Sequence, residues 1–71
     1  MDEWIKVTFP EVRDALVDDT LLGTTNKPFM VESGHHTITL GGAQNYKSPP
    51  MPVAIYNTSQ ARPMILVFTL A

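Results

Sequence analysis

Pro10-Glu11-Val12-Arg13-Asp14-Ala15-Leu16-Val17-Asp18-Asp19-Thr20-Leu21-Leu22 is the stretch that can be read in two ways. As a helix, Asp14 would be its cap and Leu16, Leu21 and Leu22 a partial stripe. The Asp18-Asp19-Thr20 cluster then falls mid-helix, and the apolar residues lack the three-to-four spacing of a buried face. As strands, Ala15 and Val17 share a face with Arg13, while Asp14 and Leu16 take the other. Asp18-Asp19 suits a tight turn, because Asp tolerates positive φ better than most residues. Leu21-Leu22 starts the return strand, with Gly23 allowing a bend or bulge. The strand reading accounts for more residues, and it sets the class of the chain.

Outward from this hairpin the same period-two alternation recurs. Ile5, Val7 and Phe9 alternate with Lys6 and Thr8 up to Pro10. Thr24 to Pro28 is a loop, Phe29-Met30-Val31 a short apolar strand, and Glu32-Ser33-Gly34 a turn. His36, Ile38 and Leu40 share one face of the next strand, and His35, Thr37 and Thr39 the other. Gly41 to Pro50 is the longest loop. Val53 to Tyr56 follows Pro52, which biases the strand start toward a sheet edge. Asn57 to Pro63 is a second loop, and Met64 to Leu70 the last strand. Short strands with turn signals every eight to twelve residues predict an all-β, small antiparallel β-sandwich of about six to seven strands, a single domain over 1–71.

The last strand is apolar on both faces: Met64, Leu66, Phe68 and Leu70 on one, Ile65, Val67 and Thr69 on the other. Such a run suits a strand covered on both sides. It fits either a central strand of a tightly curled sandwich or an outer face that meets another subunit or domain. No charged residue follows the run to protect it.

Composition narrows the function classes. The chain has 71 residues, 44% hydrophobic and 17% charged, no cysteine and a formal charge of −2. Disulfide and Cys-ligated zinc scaffolds are excluded. Seven acids against five bases argue against a nucleic-acid partner. The acids all lie within residues 1–32, whereas Lys47 and Arg62 are the only charges beyond. The acidic start and the short apolar runs give neither a signal peptide nor a membrane-inserting segment, which needs about 20 apolar residues. If the chain is complete, a cytoplasmic location is expected. A domain of this length buries only about 60% of its unfolded surface, so self-association or a neighbouring domain would help it.

From Pro10 to Ile38 the motifs resemble those of the PEGA domain, a small all-β module. Pro10-Glu11 opens the name-giving motif, and Ala15 and Val17 take the alternating apolar positions. Asp18-Asp19 stand at the usual Asp-Gly, Gly23-Thr24-Thr25 at Gly-x-Thr, and Gly34-His35-His36-Thr37-Ile38 at Gly-x-His-x-Ile. Val12 and Arg13 replace the Gly-Ala of the name motif, Asp19 replaces the turn glycine, and Asn26-Lys27 precede Pro28. The resemblance implies a β-sandwich module without known catalysis, often attached to envelope or signalling proteins, with protein or carbohydrate contact as its suggested role.

The residues offer no catalytic constellation and no cofactor or metal site. Ser33 has no patterned base partner, and Gly41-Gly42 lacks the ending of a phosphate loop. His35 and His36 point to opposite faces of a strand and cannot readily share one ion. His36 is expected to be partly buried and bonded to a neighbour, His35 exposed. Asp18 and Asp19 read as turn residues rather than a catalytic pair. The expected function is therefore a non-enzymatic interaction module. It would bind protein, itself or a neighbouring domain, through an open sheet edge and the apolar last strand, with Ile65, Val67 and Trp4 at the interface. The alternative is a carbohydrate-contacting surface built from Tyr46, Asn45 and Gln44 in the long loop.

Overall fold

In the computed structural model, which describes residues 2–42, 45–47 and 51–70, the ambiguous stretch is a hairpin. Strands β2 (Asp14–Val17) and β3 (Thr20–Thr24) pair antiparallel, with Val17 opposite Thr20. Asp18 and Asp19 are the two central turn residues, with φ of 51° and 66°. Positive φ at both positions is what a type I′ turn demands, and its twist matches that of the flanking strands. The bulge falls where the pairing shifts from Ala15 with Gly23 to Leu16 with Leu21, leaving Leu22 as the extra residue. Gly23 is required for space: a Cβ there would run into the Phe29 ring.

The other strands are β1 (Asp2–Thr8), β4 (Phe29–Glu32), β5 (Gly34–Leu40), β6 (Met51–Ile55) and β7 (Met64–Val67). They form a three-stranded sheet in the order β4-β1-β7 and a four-stranded sheet in the order β3-β2-β5-β6. The chain is thus an all-β sandwich of seven strands among the described residues, as the alternation predicts. One pairing differs from an all-antiparallel reading: β1 and β7 run parallel, with Ile5 opposite Met64 and Thr8 opposite Val67. Alternation records which face of a strand is buried, and carries no information on strand direction.

The inward faces meet in one core of Ile5, Val7, Phe9, Ala15, Val17, Phe29, Val31, Ile38, Leu40, Ile55, Leu66 and Phe68. The three phenylalanines all lie in it. At one end the connections are tied by side chains. Asn26 continues the β1 ladder: its amide oxygen accepts from Phe9 N–H (3.1 Å) and its amide nitrogen donates to the Phe9 carbonyl (2.8 Å). Buried Thr25 accepts from Arg13 N–H at 2.9 Å and donates to the Glu11 carbonyl at 2.8 Å.

The last strand is shorter than the apolar run. Regular pairing ends at Val67, Phe68 N–H still donates to the Thr8 carbonyl at 2.9 Å, and Leu70 bridges to Tyr46. Neither is β7 a central strand, since it closes one side of the three-stranded sheet.

Candidate interaction surface

The register of the three-stranded sheet decides which side chains share its outer face. On β1, Glu3, Ile5 and Val7 are buried, so Asp2, Trp4, Lys6 and Thr8 point outward. Opposite them lie Glu32 beside Asp2, Met30 beside Trp4, Ile65 beside Lys6 and Val67 beside Thr8. The interface residues expected from sequence, Trp4, Ile65 and Val67, therefore fall on one face. Met30 joins them, a residue that the sequence reading passed over; Phe29-Met30-Val31 alternates like the other strands, and that period marks Met30 as outward. Met30, Ile65 and Val67 are 48%, 53% and 59% exposed. Along Met64–Val67 the second edge of β7 has no strand partner among the described residues, while Lys47 N–H reaches the Thr69 carbonyl just beyond it at 2.9 Å.

A buried carboxylate fixes the acidic end of this face. Glu3 is 4% exposed and points inward. Its Oε1 accepts from the Thr58 N–H at 2.8 Å and the Thr58 hydroxyl at 2.7 Å, and the same hydroxyl oxygen accepts from Trp4 N–H at 2.7 Å. The bonds from the Thr58 backbone and then its hydroxyl hold the Glu3 carboxyl below its ordinary value, against burial, which acts the other way. Thr58 thereby stands in for a strand beside Trp4 and locks the Asn57–Pro63 loop onto β1.

The alternative surface is largely spent on the fold itself. The Tyr46 ring packs edge-on against Phe68 (5.5 Å between centroids) and Phe9 (6.3 Å), covering the end of the core. Asn45 accepts from the Arg13 guanidinium at 2.6 Å and donates to Glu11 at 3.1 Å. Arg13 also donates from Nε and Nη2 to the Gly41 carbonyl and lies 5.8 Å from the Phe9 ring centroid. Its stem closes the interior while its head pins the loop. Gln44 lies outside the described residues.

His35 is exposed and meets the Tyr56 ring at 6.5 Å. His36 sits at the rim of the interior with its side chain 16% exposed. Its Nδ1 is 2.7 Å from Asp18 Oδ2 and its Nε2 is 2.8 Å from the Glu32 carbonyl oxygen. Asp18 Oδ1 in turn accepts from Thr37 N–H at 2.9 Å. Sequence spacing could not reveal this cluster, because Asp18 comes from the β2–β3 turn and Glu32 from the end of β4. Among the described residues no three His, Cys, Asp or Glu side chains converge as metal ligands, and no helix is long and apolar enough to cross a membrane. Comparison with family models, curated proteins and solved structures finds no match to this chain.

Proposed function

We propose that the chain is a non-enzymatic interaction module that associates with a second copy of itself through the outer face of its three-stranded sheet. The observation that carries this is the order of side chains along that face: Asp2 and Glu32 at one end, Trp4 and Met30 next, then Lys6 with Ile65. A closed dimer applies one patch to itself about a twofold axis. An axis across the strands at Trp4 lays β1 antiparallel over its copy. Asp2 and Lys6 lie on either side of Trp4, each about 7 Å along the strand. Each Asp2 then meets the other copy's Lys6, and the Trp4–Met30 rows meet in the middle. The opposite arrangement, with strands parallel, would stack acid on acid. The motifs of Pro10–Ile38 resemble those of the PEGA domain, for which protein or carbohydrate contact is the suggested role, and this agrees with an interaction module in general without favouring a second copy.

The test is sedimentation velocity over a concentration series. The mass is expected to rise toward that of a dimer, less so at high salt. Lys6→Asp is expected to weaken association, and Lys6→Asp with Asp2→Lys to restore it. Ile65→Asp should weaken it in the same row. A strict monomer at high concentration overturns self-association, and a dimer indifferent to these charges overturns the face.

A further inference from the structure

The two contacts of His36 set a proton count. Asp18 Oδ2 and the Glu32 carbonyl oxygen can only accept from an imidazole at these distances while Asp18 is ionised. A neutral imidazole carries one N–H and would present a lone pair to the other oxygen. Only the imidazolium satisfies both contacts.

We propose that His36 is a proton-operated latch: as an imidazolium it ties the Asp18 turn of the β2–β3 hairpin to the Glu32 carbonyl at the β4–β5 crossover, and loss of its proton opens the crossover side. The choice of side follows from acceptor strength. A carboxylate holds an N–H more strongly than a neutral carbonyl does. Asp18 is also fixed by two backbone contacts to Thr37, accepting at Oδ1 and donating its own N–H to the Thr37 carbonyl, both at 2.9 Å. The single remaining proton therefore stays on Nδ1, and Nε2 turns its lone pair toward Glu32. Because Glu32 ends a strand of one sheet and Gly34 begins a strand of the other, the released contact lies on the connection between the layers.

The charged surroundings agree. Asp18 from the hairpin and Glu32 from β4 both favour the cation, and β6 presents Val53 opposite His36. The bond to Asp18 is the main cause that raises the His36 pKa, and burial opposes it. The bond from His36 is the main cause that lowers that of Asp18. A raised imidazole pKa stabilises the fold fully below the ordinary value of about 6.5 and loses that contribution as pH rises through the folded value.

The experiment is a long-range proton–nitrogen titration of the His36 ring, with the Glu32 carbonyl carbon followed in parallel, from about pH 5 to pH 8.5. Both nitrogens are expected to be protonated at the acid end. His36 should titrate above the ordinary imidazole value, and Nε2 should lose its proton while Nδ1 keeps it. The Glu32 carbonyl shift should move with the same midpoint. Asp18→Asn preserves a residue that accepts positive φ, so the turn survives; it is expected to lower the His36 midpoint and to reduce the fall of Tm on the alkaline side, the Glu32 contributions remaining. Retention of the Nε2 proton, a midpoint at or below the ordinary value, or a Glu32 carbonyl indifferent to pH overturns the latch. These readings need only the folded wild-type chain.

Discussion

Glu3 shows how a single inward carboxylate can be tolerated in a small core. Both donors on its Oε1 come from Thr58, and they favour the charged form. A lowered carboxyl pKa contributes stability above the ordinary carboxyl value, and that contribution is lost as pH falls through the folded value. Glu3→Gln is therefore expected to lower Tm at neutral pH and to flatten the acid limb of the Tm–pH profile, checked by thermal melts from about pH 2.5 to pH 7. The Asp18 carboxyl acts on the same limb, and His36 on the opposite one, so stability peaks between the ordinary carboxyl and imidazole values. At this scale the sequence was partly legible. His36 read correctly as a partly buried residue with a bonded neighbour, because it shares a period with Ile38 and Leu40. Its partners were hidden, since alternation assigns a side chain to a face and says nothing of what faces it across a gap. The partners of Asn45 were hidden for the same reason: a loop of polar residues gives no sign that Arg13, over 30 positions earlier, will collect it.

The β2–β3 hairpin is the element whose local chemistry and packing agree most closely. Two aspartates adopt the left-handed backbone that the turn needs, and a bulge sets Gly23 against Phe29. Gly23→Ala forces that ring off its position, an overpacking change that typically costs about 1–3 kcal/mol. Urea unfolding should show the loss as a lower midpoint with an unchanged slope. The hairpin was readable because Asp18-Asp19 and Gly23 are local signals. The place of β7 was not. Its two apolar faces fitted either a central strand or an outer face that meets a partner, and the strand lies at the side of its sheet with Ile65 and Val67 exposed. A greasy outer face is the same in sequence whether a neighbouring layer or a second molecule covers it.

At the scale of the molecule, one core, formed by twelve buried side chains among the described residues, supports two thin layers. Domains of this size have a net stability of only several kcal/mol, so each tie between the layers matters. The parallel contact of β1 with β7 has a mechanical consequence. Because the two strands are parallel, the chain enters β1 at one end of the three-stranded sheet and leaves β7 at the other. Tension applied before β1 and after β7 then drags the two strands past each other. Their backbone bonds, from the Ile5–Met64 row to the Phe68 contact with Thr8, share the load and must rupture together. Optical-tweezer extension through those attachment points is expected to give a higher rupture force than extension through Asp14 and Thr24, where the β2–β3 pair peels open row by row.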